Sequence, residues 1–219
     1  MSDTKPVIYQ LLPRLFANYC DTPVVGGTLQ QNGSGKLNDI TAPVLDSIRA
    51  LGATHVWYTG VIEHSHDADY TAYGIPRHNP HVIKGHAGSP YAISDYYDID
   101  PDLAVDVPHR MEEFEALVER THAAGMKVII DFVPNHVARQ YHSDARPAGI
   151  EDFGCGDNHE MFFAPYNNFY YITRQQFAPH IDLGQGDDAY VEFPAKASGN
   201  DCFHAFPGVN DWYATVKLN

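Results

Sequence analysis

The chain has 219 residues, 44% hydrophobic and 19% charged, an ordinary globular composition with room for one large domain or one and a half. Its formal net charge of −14 argues against nucleic acid and anionic membrane surfaces, which need a basic footprint, and suits a neutral partner. Three widely spaced cysteines, Cys20, Cys155 and Cys202, show no Cys-x-x-Cys, which argues against a disulfide framework or structural zinc site. The start, Met1 to Pro6, carries no apolar signal core, and no run approaches a membrane span. A cytoplasmic protein is expected, with a mature periplasmic or secreted domain as the alternative.

The first predicted strand is Pro6 to Leu12. Gly26 to Gly35 reads as loop. A helix follows, capped by Asn38 or Asp39, with Ile40, Val44, Leu45, Ile48 and Leu51 on one face and Gly52 as its stop. The second strand is Thr54 to Tyr58, followed by a long loop rich in glycine and proline. A second helix runs from about Pro108 to Ala124, with Met111, Phe114, Leu117 and Val118 as its apolar face. Gly125 ends it, and the apolar run Met126 to Val133 reads as a buried parallel strand. Short helix-to-strand joints and long strand-to-helix loops suit a (β/α) barrel with function on one rim. Residues 137–219 contain no amphipathic helix, only short alternating patches such as Phe169 to Ile172 and Ala189 to Phe193. They read as a β-rich insertion.

The most informative stretch is Asp131-Phe-Val-Pro-Asn135-His136, where the third strand runs out into a loop. Ligands of α/β sheets bind at that carboxyl end. Asp131 falls inside the strand pattern, where a carboxylate needs a partner. Aromatics are abundant, 14 Tyr and 11 Phe, many among Gly, Asn and Asp, which suits either stacking on ring-shaped ligands or packing under long loops.

Four segments, in order, resemble the α-amylase family of retaining α-glucan-active glycoside hydrolases. Val7-Ile-Tyr-Gln-Leu-Leu-Pro-Arg14-Leu-Phe16 is similar to the family's opening barrel strand, and Leu51-Gly-Ala-Thr-His-Val-Trp57 to its joint into the second strand. Gly88-Ser-Pro-Tyr91-Ala-Ile-Ser-Asp95-Tyr96-Tyr-Asp-Ile-Asp100-Pro101 resembles the segment between second strand and second helix. Asp131 to His136 resembles the first conserved region. The resemblance implies an α/β fold: the first three strands of a (β/α)8 TIM barrel over residues 1–136, then domain B, inserted after the third strand, over residues 137–219.

By the same resemblance, Tyr91 matches the tyrosine that stacks on the sugar beside the cleaved bond, and His136 the histidine that hydrogen-bonds a hydroxyl of that sugar. Asp131 matches an acidic residue that orients an arginine of the fourth strand, and Asn135 a calcium-binding asparagine. Domain B would have to supply further calcium ligands, with Asp201 and Asp211 available. The nucleophile and acid/base of the family's double displacement follow the fourth and fifth strands. No Gly-x-Arg-x-Asp pattern occurs here, so no catalytic residue is assigned and the chain is expected to be an inactive N-terminal fragment of a longer enzyme acting on α-1,4-linked glucans. Its third strand would then present an open edge. A non-catalytic glucan-binding protein is the alternative. A metal-dependent protein is a third class, resting on Glu63-His64-Ser65-His66-Asp67 and Cys155-Gly-Asp-Asn-His159, both more economically read as polar loops.

Overall fold

The structure, a computed structural model, describes residues 5–219. Met1–Thr4, part of the start read above, lie outside the described residues. In chain order come β1 (Ile8–Leu11), α1 (Pro13–Phe16), α2 (Leu29–Asn32), α3 (Ala42–Ala50), β2 (His55–Tyr58), β3 (Ile62–His64), β4 (Ile93–Ile99), α4 (Arg110–Ala123), β5 (Lys127–Ile130), β6 (His136–Ala138), β7 (Tyr171–Ile172), β8 (Ala195–Lys196) and β9 (Thr215–Lys217). The expected boundary lay between residues 136 and 137. By its contacts the described chain divides into one unit running to Glu63 and resuming over Asp98–Phe132, and a second made of His64–Tyr97 and Val133–Asn219.

The first unit carries a parallel sheet in the order β1-β2-β5. Its register pairs Tyr9 with Val56 and Val56 with Val128. The two helices arise where the apolar periodicity places them. Pro43 sits in the first turn of α3, and Leu45 and Ile48 are its buried stripe. The cap is Thr41 rather than Asn38 or Asp39, because Leu37–Asp39 form a separate 3-10 turn. Likewise Pro108 lies in the turn Val107–His109 just before α4. Gly52 and Gly125 follow the two helices with φ of +91° and +77°, a left-handed turn that a side chain would strain. Leu37, Ile40, Leu45, Val56, Tyr58, Leu103 and Leu117 form a fully buried core.

The third strand departs from expectation. β5 is not buried, and Ile130 and Phe132 are 43% and 73% exposed. The reason is its place at the sheet margin: β5 bonds β2 on one side and no other strand among the described residues. Asp131 also lies one residue beyond the strand rather than within it.

The second unit has little regular structure. β6 pairs antiparallel with β9, and β7 with β8. Its longest helical turn among residues 137–219 is the 3-10 segment Gly186–Asp188. The alternation at Ala189 to Phe193 is real in burial but not in pairing. Tyr190 and Glu192 are buried while Val191 and Phe193 are each 66% exposed, yet the strand that forms is β8, a few residues later. Arg139 organises this unit. Its buried guanidinium donates to Glu192 Oε1 at 2.7 Å, Ser198 Oγ at 2.8 Å, Tyr213 O at 2.6 Å and Thr215 O at 3.0 Å, and lies 3.8 Å from the Phe177 ring centroid.

Candidate active site

The chain leaves β5 through Val133-Pro134-Asn135 and enters β6 at His136. Tyr96 stabilises this turn. Its hydroxyl donates to Val133 O and lies 3.4 Å from His136 O, and its burial pushes its pKa up to about 12. From β9, Leu218 N donates to Asn135 O at 3.0 Å, and Lys217 stands directly opposite His136 in the register. Gly199 packs on the histidine: a Cβ there would lie 2.9 Å from His136 Cβ and 2.3 Å from Thr215 Oγ1, so no larger residue fits without displacement.

His136 and Tyr91 meet. The imidazole hydrogen-bonds the Tyr91 main chain, and both side chains line one cavity of about 230 Å³ together with Lys84, Ser89, Val133 and Trp212. Burial holds the His136 pKa below its ordinary value, the Tyr91 bond opposes this, and the Lys217 charge adds to the lowering. The ring is therefore neutral at neutral pH, with one nitrogen a donor and the other an acceptor. The Asn135 amide nitrogen, 3.0 Å from Nδ1, fits Nδ1 as the acceptor.

Trp212 was not singled out from the sequence. Its ring lies 5.1 Å from the His136 ring, tilted by 59°. A polar turn presents it: Trp212 N donates to Asn200 Oδ1 at 3.1 Å, and Asn200 Nδ2 donates to Asp211 Oδ1 at 2.8 Å. Asp211 also accepts from Gly208 N at 2.7 Å, and the Asn200 and Gly208 bonds hold its carboxyl below the usual range. The one signal for Trp212 in the sequence was an aromatic set among Gly, Asn and Asp, shared with many packed rings. Lys84 closes another side, donating to Asp211 O at 2.7 Å beneath the Tyr213 ring. The cavity is aromatic and mostly apolar, with a neutral imidazole and an ammonium at its edge. It is smaller than the ~300–1,000 Å³ typical of drug-sized sites and suits one small ring.

Asp131 lies in the first unit. It accepts from Trp57 Nε1 at 2.9 Å and from Gly60 N at 3.3 Å, so these partners belong to the end of β2 and the loop after it. Asn135 places its amide nitrogen 2.8 Å from Gly199 O and its amide oxygen on Lys217 Nζ. The residues of the histidine-rich stretch do not converge on one another as a ligand set, although Glu63 and His66 each belong to a metal-sized grouping with acidic residues from outside it. His64 and His66 meet edge to face at 6.1 Å, Asp67 bonds His86, and among the described residues no metal-sized grouping joins His64, His66 and Asp67. The second stretch is a structural turn. Asp157 accepts from Asn168 N, Phe169 N and Tyr171 OH, and the His159 ring lies 4.4 Å from that of Tyr171. A larger, more open depression of about 590 Å³ in the second unit is bordered by Phe153, His159, Tyr171 and Lys196. Its buried charges, Arg139 and Glu192, satisfy each other.

A three-stranded parallel sheet with helices between its strands defines an α/β protein. The chain belongs to the alpha-amylase family: the model of the alpha amylase catalytic domain matches residues 10–177. Membership identifies the β1-β2-β5 sheet as part of a (β/α)8 barrel. Maltase 1 of Drosophila virilis is 31% identical over 151 residues, 67% of this chain and 18% of that protein. Amino acid transporter heavy chain SLC3A1 of Mus musculus is 30% identical over 134 residues, 61% of this chain and 14% of that one. An alpha-amylase structure from Lactobacillus plantarum shares 29% identity with a TM-score of 0.42, covering 62% of this chain and 24% of that chain. The chain thus spans less than a fifth of the length of Maltase 1.

Proposed function

We propose that these residues form the sugar-binding part of a retaining glycosidase that acts on α-1,4-linked glucosides, with its nucleophile and acid/base carried outside this stretch. The observation that carries the reading is the shared cavity of Tyr91, His136 and Trp212. A pyranose presents apolar C–H faces to flat rings and hydroxyls to fixed hydrogen-bonding groups. Tyr91 supplies a face, and His136 a polar contact to a ring hydroxyl, which would share or replace the bond the imidazole makes to the Tyr91 main chain. Contacts of this kind strengthen as the sugar flattens toward an oxocarbenium-like state. Asp131 is a positioning residue, tying Trp57 and the Gly60 main chain at the end of β2.

The test uses the full-length protein on maltooligosaccharides, with the anomer of the first product followed by NMR. Turnover releasing the α-anomer is the expected result. His136→Ala should lower turnover about 10- to 100-fold, the loss of ~1.5–3 kcal/mol for a contact to developing charge, with binding of long glucans weakened less. An unchanged rate in that variant would remove the role of His136. One second reading is a glucan-binding family member without catalysis; a relative named as a transporter heavy chain shows that names in this family extend beyond glycosidases. Saturable maltooligosaccharide binding with no turnover would select it.

A further inference from the structure

The family resemblance brings an expectation of calcium at Asn135, and the side chains here do not fit that ion. Calcium takes about 6–8 oxygen ligands at ~2.3–2.6 Å. The amide oxygen of Asn135 accepts a hydrogen bond from Lys217 Nζ, and the carboxylate of Asp201, the nearest acidic candidate, lies 3.0 Å from that same nitrogen. Asp211, the other candidate, is engaged by Asn200 and Gly208. A divalent ion bonded to both Asn135 and Asp201 would stand against the ammonium, and like charges at contact repel strongly.

We propose that Lys217 serves as a tethered cation at this position, so that the Asn135 site is held together by an ammonium and takes no calcium. The lysine is placed by register rather than by chance of the surface. β9 runs antiparallel to β6 with Lys217 opposite His136, Lys217 N donates to Ala197 O at 2.9 Å, and Leu218 N holds Asn135 O. The amide of Asn135 is oriented by this arrangement. Its NH2 faces Gly199 O and His136 Nδ1, which leaves its oxygen for a cation. Asp201 reaches the same point from a residue with φ of +62°, in the turn closed by the Ser198–Cys202 bridge. An ammonium donates three hydrogen bonds and needs no dehydration of a divalent ion, so it satisfies with two oxygens what calcium would leave under-coordinated. The inference stands on this geometry and does not depend on which glycoside is the substrate.

The experiment compares calcium stoichiometry of the full-length wild type and Asn135→Ala by equilibrium dialysis with calcium alone, and melts both with and without a chelator. Equal stoichiometry is expected, with no chelator-induced drop in Tm that depends on Asn135. Loss of one bound calcium in Asn135→Ala, accompanied by loss of chelator sensitivity, overturns the proposal. Lys217→Met tests the positive half: its Tm should fall, while Lys217→Arg keeps it near wild type. An unchanged Tm in Lys217→Met also overturns it. Should Lys217→Met fail to fold, the dialysis comparison still decides.

Discussion

The first unit closes on Leu37, Ile40, Leu45, Val56 and Leu117 in repeating β/α order, whereas the second wraps irregular chain around the guanidinium of Arg139. The first needs only hydrophobic burial, which is non-directional and tolerant of neighbours. The second pairs strands of only two or three residues, β6 to β9, and relies on directional bonds that close together or not at all. Loops that carry a site need such supports, because they have no ladder of their own.

Removing the support tests the contrast most strongly. Arg139→Leu leaves Glu192 buried without its partner and should destabilise the second unit by ~3–5 kcal/mol, read as loss of hydrogen-exchange protection there with the α3 and α4 amides little changed. In the first unit, Leu117→Ala should cost ~2–5 kcal/mol by cavity formation, with protection lost in α4 and β5 instead. Equal loss across both units from either variant would mean that they unfold as one.

Acid should separate them next. Burial alone would raise the Glu192 pKa, but Arg139, Lys196 and the Tyr190 hydroxyl together hold it below the ordinary value of 4.5. The unfolded chain therefore binds the proton more readily. This pair's stabilisation is complete above about pH 4.5 and is lost as pH falls through the folded value. His136, also in the second unit, has a lowered pKa, so the unfolded chain takes up its proton first and stability falls as pH drops below about 6.5. Acid titration followed by NMR should therefore release residues of the second unit before those of the first. The smallest expected effect is Trp212→Ala in the full-length protein. Losing one ring against His136 removes ~0.5–1.5 kcal/mol of aromatic contact, a rise in KM of about 2- to 10-fold on maltooligosaccharides with kcat little changed.

The legible parts of this molecule follow the same division. Strands, helices and stops in the first unit were readable because apolar period and glycine placement are local properties. β5 was placed in the sequence correctly, but its burial was not, since exposure depends on what lies beside a strand. In the second unit Tyr91 and His136 stood out through their motifs, and the structure brings them to one cavity. Trp212, Lys84 and Lys217 did not stand out. Each reaches its position through a turn or a strand register set by residues far away in sequence, such as Asn200 for Trp212.

By itself, the sequence determined the parallel β/α order, the family and the stretch at which the third strand gives way to polar residues. These rest on short-range patterning and on motifs that survive without their surroundings. Only the tertiary structure decided that Asp131 clamps Trp57 and Gly60, that Arg139 anchors the second unit, and that the oxygen of Asn135 meets a lysine. Those outcomes turn on which charges and donors long-range pairing brings within about 3 Å, where hydrogen-bond geometry selects the partner.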